Sequence, residues 1–264
     1  MLKVKDIHKR FGGIRALNGV SLKVRQATIV GLIGPNGSGK STLFNIISGF
    51  YPADAGRIEF KDERISGLPP YEVARKGLVR TFQVSKAPKQ MTVLENMLLA
   101  CNEQVGESVF GAMFKRKQLA KHNKDNIDKA MSLLEFTGIA HLANEYAGNL
   151  SGGQQKLLSL SRILIRNPAL VLLDEPTAGV NPTLTLKFME FIKELRRNHG
   201  NTFFLVEHDM NLISSICDYV YVLDSGANIA EGAPEYILKD PRVLEVYLGG
   251  RETKRLRKGN ASES

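Results

Sequence analysis

Residues 34–42 read "GPNGSGKST", with "ATIVGLI" (27–33) before them and "LFNIISGF" (43–50) after. From Gly34 to Ser41 the run fits the pattern G-x-x-x-x-G-K-[ST]. Glycines let successive backbone N–H groups turn inward on an anion, and a helix starting at the loop's end adds the positive end of its dipole. The preceding stretch is a short unbroken apolar run, as expected of a strand buried on both faces. The following one has helical character up to Gly49. Strand, glycine loop and helix, in that order, form the context a phosphate-binding loop requires. The backbone of Gly34, Pro35, Asn36, Gly37, Ser38 and Gly39 is then the cradle. Lys40 is expected to reach the β- and γ-phosphates, Ser41 to offer a hydroxyl to Mg2+, and Thr42 to add a phosphate contact.

Outward from the loop, "LKVKDI" (2–7), "VSLKV" (20–24) and "GRIEF" (56–60) alternate apolar and polar residues like half-buried strands. "ISGLPP" (65–70) marks a turn, and from about Glu72 to Gly148 the texture is helical. Within that stretch "NIDKAMSLLEFTG" puts Ile127, Ala130, Met131 and Leu134 on one helix face, with Gly138 as the stop. The segment reads as a helical subdomain inserted into an α/β core. After it, "SGGQQKLLSLSRILIRNP" is a helix capped by Ser151 and ended by Asn167-Pro168. "ALVLLDE" and "TFFLVEHD" read as buried strands flanking a helix in "TLKFMEFIKELRRN", and "DYVYVLDSGANIAEG" as two strands around a Ser225-Gly226 turn.

Composition limits the function classes. With 264 residues and 43% hydrophobic content, the chain can bury a normal core. Its two cysteines, Cys101 and Cys217, lack metal-ligand spacing, and a disulfide framework is not expected. "MLKVKDIHKRFGG" carries charge throughout and does not read as a secretory signal. Apolar runs such as "FFLV" and "LVLL" fall far short of the roughly 18 residues of a membrane span. The net charge of +9 suits nucleic acid, an anionic membrane surface or an anionic small ligand. The tail "RETKRLRKGNASES" (251–264) has no aromatics among its charges, so no stacking platform for single strands is indicated. It reads as a solvated, disordered extension or as a membrane-surface contact.

Two further stretches carry chemistry. "LVLLDE" (170–175) places two carboxylates where a buried strand ends, and ligands of open α/β sheets sit at the carboxyl ends of strands. Asp174 would hold Mg2+, directly or through water, and Glu175 would polarise an attacking water for in-line displacement. "LSGGQ" (150–154) is a second Gly-rich helix N-terminus, this time without lysine. It supplies only backbone N–H groups, the Ser151 hydroxyl and a dipole. With one nucleotide's phosphates already held at Lys40, this second site is useful against a nucleotide held by another copy of the chain.

Over nearly its whole length the sequence resembles the ATP-binding-cassette ATPase family. Gly34–Thr42 corresponds to the Walker A loop, Gln83 in "RTFQ" to the Q-loop, Leu150–Gln154 to the signature, Leu170–Glu175 to Walker B, and His208 in "VEHD" to the switch histidine. The resemblance implies an α/β fold: a P-loop NTPase core with an antiparallel β subdomain and an inserted α-helical subdomain. The cassette would span 1–250, with the core at about 1–83 and 149–250, the helical subdomain at about 84–148, and the tail at 251–264. It implies ATP and Mg2+ as ligands and a head-to-tail dimer, with Ser151, Gly152, Gly153 and Gln154 of one subunit facing the other's Walker A loop. Gln83 would sense Mg2+ and the attacking water, His208 would contact the γ-phosphate, and Phe11 in "KRFGG" would stack on adenine or else pack locally. The chain departs from the family at "AGVNP" (178–182), where Asn181 stands in place of the usual D-loop aspartate. An amide keeps a hydrogen bond across the dimer but not the charge.

Within the family, "VRTFQ", "MTVLENMLLA", "AGVNP", "EHDMNLI" and "VLEVYLGG" look like ATPase subunits of branched-chain amino acid importers. That implies separate permease subunits in the membrane, an extracytoplasmic solute-binding protein acting indirectly, and a partner cassette that is a paralogue or a second copy. It also implies a peripheral position at the cytoplasmic face of the inner membrane. Urea or amide import and lipopolysaccharide export are the alternative cargoes; a nucleic-acid partner is not expected. A groove for the permease would involve Met91, Val93 and Leu94 beside Lys86, Lys89 and Glu95.

Overall fold

The computed structural model describes residues 1–81, 87–101 and 116–247. The chain divides into two compact units. The first comprises Met1–Arg80, Ala169–Pro176 and Ile192–Ser264, the second Thr81–Pro168 and Thr177–Phe191. The helix at 152–164, which the sequence places with the core, is thereby grouped with the second unit.

The first unit holds two sheets. In one, β1 (Leu2–Phe11), β2 (Ile14–Val24), β4 (Ala55–Phe60) and β5 (Glu63–Arg64) pair antiparallel in the order β2-β1-β4-β5. Alternation drives this sheet: Leu2, Val4, Ile7, Leu17, Val20, Leu22 and Val24 point inward and are essentially buried. At Asp6, where φ is 51°, the register with β2 shifts between Val4 and Ile7. One extra residue there moves the buried set from Leu2 and Val4 to Ile7 and Lys9, as a bulge does.

The second sheet has the order β10-β9-β3-β8-β7-β6. Its members are β3 (Ile29–Ile33), β6 (Leu78–Arg80), β7 (Leu170–Asp174), β8 (Thr202–Val206), β9 (Tyr219–Asp224) and β10 (Ala227–Gly232). All neighbours are parallel except β9 and β10. Every residue of β3, β7 and β8 is buried, as the unbroken apolar runs required. Helix α1 (Lys40–Ile47) packs Leu43, Phe44, Ile46 and Ile47 into a core shared with both sheets. There Phe44 lies 5.0 Å from Phe204, and each such ring contributes about 2–3 kcal/mol by leaving water. Helix α2 (Pro70–Arg75) precedes β6, so the stretch from Glu72 is not helical throughout. Three residues are too few to show a period; the parallel pairing of Leu78, Val79 and Arg80 with Leu170, Val171 and Leu172 defines that strand.

In the second unit, α3 (Val93–Ala100) begins with a capping box: the Thr92 hydroxyl accepts from Glu95 N, and Glu95 Oε2 accepts from Thr92 N at 2.7 Å. Val93 is fully buried and Glu95 is committed to this cap, whereas Met91 and Leu94 are half-buried. Of the groove residues expected to meet a permease, Val93 therefore faces inward, and Lys86 lies outside the described residues. Helix α4 (Arg116–Phe136) buries Ala130 and Leu134 completely, but Ile127 is 39% exposed; the buried stripe starts one turn later than periodicity suggested. Gly138, at φ 73°, follows as the stop. Helix α5 (Gly152–Leu164) and the first part of α6 (Pro182–His199) complete the unit. The first unit closes with α7 (Met210–Ile216), α8 (Pro234–Ile237) and a helical stretch at 241–247. Both cysteines are free, and no helix among the described residues is long and apolar enough to cross a membrane.

Candidate nucleotide site

Four strands of the parallel sheet, β3, β8, β7 and β6, are neighbours, so their carboxyl ends lie along one edge. Val206 pairs with Leu32 on one side and with Asp174 on the other. The glycine loop leaves β3, the acidic pair leaves β7 and His208 follows β8, so topology gathers at one edge what the sequence scatters over 175 positions, from 34 to 208.

The loop is held tightly from below. A Cβ built on Gly34, whose φ is 151°, would lie 2.1 Å from the Leu223 carbonyl oxygen, so no side chain fits. The β9–β10 turn, Ser225-Gly226 with φ of 45° and 79°, sits beneath. Gly226 N donates to Ser38 O at 3.1 Å, and Gly226 O accepts from Asn18 N at 2.8 Å. Lys40 is 95% buried at the start of α1, and its Nζ donates to the carbonyls of Gly34 and Pro35, both at 2.8 Å. Burial pushes its ammonium pKa down, opposed by the nearby carboxylates of Glu175 and Asp174. Ser41 is exposed at the same helix start, with Thr42 half-buried behind it.

At the end of β7, Asp174 is buried and receives Arg80 Nη2 on Oδ2 at 2.7 Å. Glu175 adopts φ 46°, a left-handed conformation rare outside glycine, and its N–H still closes the ladder on Val206 O at 3.0 Å. That turn sends its carboxylate to His208, whose Nε2 lies 2.8 Å from Glu175 Oε1. An ionised carboxylate only accepts, so Nε2 carries the proton. Glu175 and His208 are thus brought together, 33 residues apart in sequence. Gln83 lies outside the described residues.

Phe11, at the end of β1, is 43% exposed and meets Tyr51 edge-on, with centroids 5.5 Å apart at 73°. Lys9 Nζ stands 5.4 Å from the Phe11 ring. Tyr51 was not singled out in the sequence, where nothing but its place after α1 points to it. Arg80 was also missed, although it stands in "RTFQ".

The second glycine motif belongs to the other unit. Ser151 caps α5 in a capping box: its Oγ accepts from Gln154 N at 3.4 Å, and Gln154 Oε1 accepts from Ser151 N at 2.8 Å. A Cβ on Gly153 would meet Leu184 Cδ2 of α6 at 2.1 Å, whereas one on Gly152 would meet nothing within 4 Å. Local structure therefore accounts for Ser151 and Gln154 and favours a small residue at 153; at exposed Gly152 no neighbour within 4 Å calls for a glycine. Asn181 caps α6, its Oδ1 accepting from Leu184 N at 2.8 Å.

The donor set suits Mg2+. Hydroxyl and carboxylate oxygens are hard ligands, and Mg2+ commonly uses one or two carboxylates together with substrate phosphates rather than a full protein cage. Ser41 and Asp174 would supply that partial shell, and among the described residues no cluster of three or more His, Cys, Asp or Glu forms a closed one.

Known proteins share this sequence and fold. Residues 17–178 match the family described as ABC transporter, and residues 227–253 match one described as branched-chain amino acid ATP-binding cassette transporter. The high-affinity branched-chain amino acid transport ATP-binding protein LivG of Escherichia coli (strain K12) is 41% identical over 249 residues, 94% of this chain and 98% of that protein. A probable LivG of Archaeoglobus fulgidus is 43% identical over 253 residues, 96% of this chain and 97% of that protein. Among solved structures, the ADP conformation of an ATP-binding cassette of an ABC transporter aligns with a TM-score of 0.81 at 41% identity, covering 94% of this chain and 98% of that one. A dimeric bacterial ABC transporter cassette aligns with a TM-score of 0.75 at 27% identity, covering 89% and 99%. The chain belongs to the ATP-binding cassette family, the ATPases of ABC transporters.

Proposed function

We propose that this chain hydrolyses Mg-ATP to drive import of branched-chain or other hydrophobic amino acids through separate permease subunits, working from the cytoplasmic face of the inner membrane. The observation that carries the chemistry is the Glu175–His208 contact at the sheet edge that also presents Lys40. The backbone N–H groups of the loop from Gly34 to Gly39, except Pro35, which has none, and the Lys40 ammonium bind the β- and γ-phosphates; Lys40 exchanges its contacts with the Gly34 and Pro35 carbonyls for phosphate oxygens. Ser41 and Asp174 would hold Mg2+, which neutralises charge on the phosphates when bound. Glu175 orients the attacking water and accepts its proton, and His208 holds that carboxylate in place and reaches the γ-phosphate. Gln83 would sense the metal, and Phe11 with Tyr51 offers an aromatic face to adenine.

Two cassettes, this chain with a paralogue or a second copy, would close head to tail on two nucleotides. Ser151, Gly152 and Gly153 of each would complete the other's site, with Gln154 holding the cap that aims them. Gly152 supports this arrangement because it is exposed at the start of α5 and no neighbour within 4 Å of an added Cβ explains a glycine there. The match at 227–253 and the transport role named for the relatives support the cargo. Uptake of radiolabelled leucine should fall in cells lacking this chain and return with the wild type but not with Glu175→Gln. Unchanged leucine uptake, with loss of uptake of another solute, would overturn the cargo while leaving the ATPase intact.

A further inference from the structure

Arg80 ends the first segment of the first unit, on β6 beside β7, and one guanidinium joins three elements. Nη2 donates to Asp174 Oδ2 at 2.7 Å. Nη1 donates to Asn45 Oδ1 at 2.7 Å and lies 3.3 Å from Ser48 Oγ, both on or next to the helix that starts at Lys40. The group also stands 5.8 Å from the Phe44 ring. The side chains of Arg80 and Asp174 are 9% and 4% exposed. A carboxylate this deep is costly to leave charged without a partner, and a buried cation one hydrogen bond away supplies that partner.

The carboxylate so neutralised is the one assigned above to Mg2+, and the inference rests on that assignment. A divalent cation approaching Asp174 alone meets a resident positive charge in a buried, weakly screened setting, whereas a cation arriving on nucleotide phosphates brings compensating negative charge with it. We propose that Arg80 is a positioning and specificity residue that keeps Asp174 paired, so that the site refuses a free divalent cation and admits one only with nucleotide. Asn45 and Ser48 fix the guanidinium so that it stays with Asp174 in the empty protein. The planar fork of the arginine serves Asp174 and Asn45 at once, and its positive charge is what opposes a free cation.

The test uses Mn2+ as a paramagnetic probe, titrated by electron paramagnetic resonance into the full-length chain with and without ATP. Wild type should bind Mn2+ at this site only with ATP. Arg80→Gln should gain a nucleotide-free Mn2+ site at least tenfold tighter than any in wild type. Arg80→Lys, which keeps the charge, should stay close to wild type, and the gain should vanish in the double variant Arg80→Gln/Asp174→Asn. The proposal is overturned if Arg80→Gln binds no more nucleotide-free Mn2+ than wild type, if Arg80→Lys gains the same site, or if the gain survives loss of Asp174. Should Arg80→Gln fail to fold, wild type against Asp174→Asn still decides: nucleotide-free Mn2+ binding by wild type that Asp174→Asn removes, as tight as that with ATP, refutes it. Retention of Mn2+-nucleotide binding in Asp174→Asn would instead refute the metal assignment itself.

Discussion

Replacing Gly226 with alanine tests whether a hairpin turn far along the chain holds the phosphate loop in shape. Gly226 has φ 79°, and a Cβ there would sit 2.7 Å from the Ala16 carbonyl oxygen and 3.1 Å from Leu17 Cα. Gly67 is a matched control: φ 81°, with nothing within 4 Å of an added Cβ. Alanine at either site bears the left-handed backbone cost of about 1–2 kcal/mol. Only at Gly226 must backbone move as well, at the expense of the hydrogen bonds to Ser38 O and from Asn18 N, each worth about 1 kcal/mol net. Gly226→Ala should therefore be less stable than Gly67→Ala by about 2 kcal/mol. For a chain of this size that corresponds to a melting temperature about 4–8 °C lower. Because Ser38 loses its support, ATP binding to Gly226→Ala should weaken by about fivefold or more, the equivalent of one hydrogen bond. Thermal melts and a fluorescent-nucleotide titration read both effects. Equal melting temperatures and equal nucleotide affinity for the two variants would show that the turn does not support the loop.

Glu175→Gln keeps the shape of the side chain and an acceptor for His208, yet cannot take a proton; turnover should fall by about 10²–10⁴ while ATP affinity stays within twofold, and wild-type turnover would remove Glu175 as the base. Lys40→Ala should lose ATP affinity by about tenfold or more, since a charge-assisted phosphate contact disappears; an unchanged nucleotide titration would refute its phosphate role. Burial pushes the Tyr247 phenol up to about 12, opposed by the nearby Gly34 backbone amide. The folded chain thus holds this proton after the unfolded chain has released it, so stability from this group is present below about pH 10 and declines as pH rises toward 12. Tyr247→Phe should flatten that alkaline decline in equilibrium melts, and an identical slope would show that Tyr247 ionises normally.

The elements that sequence reading captured best are those whose signal is local. "ATIVGLI" and "LVLLD" are buried strands because an unbroken apolar run has no face to turn to water. Ser151 caps a helix because its neighbour three positions on, Gln154, completes a box within one turn. Signals that reside in distant partners were not legible. The strand at Leu78–Arg80 exists through its pairing with β7, and the burial of Val93 and exposure of Ile127 depend on which neighbours cover each turn. Gly153 and Gln154 looked like parts of an anion site alone, yet Leu184 packs close over Gly153 and Gln154 completes the Ser151 cap.

By itself, the order of residues determined the chemistry on offer: a lysine-bearing glycine loop, a carboxylate pair at a strand's end, a histidine after another strand and a lysine-free second helix tip. Covalent spacing suffices for these, because each lies within a few bonds of the element that presents it. Tertiary structure alone decided that Glu175 meets His208, that Arg80 rather than solvent faces Asp174, and that Gly226 lies beneath Ser38. Those contacts join residues 33, 94 and 188 positions apart, and their existence depends on strand order in the sheet, which no local pattern encodes.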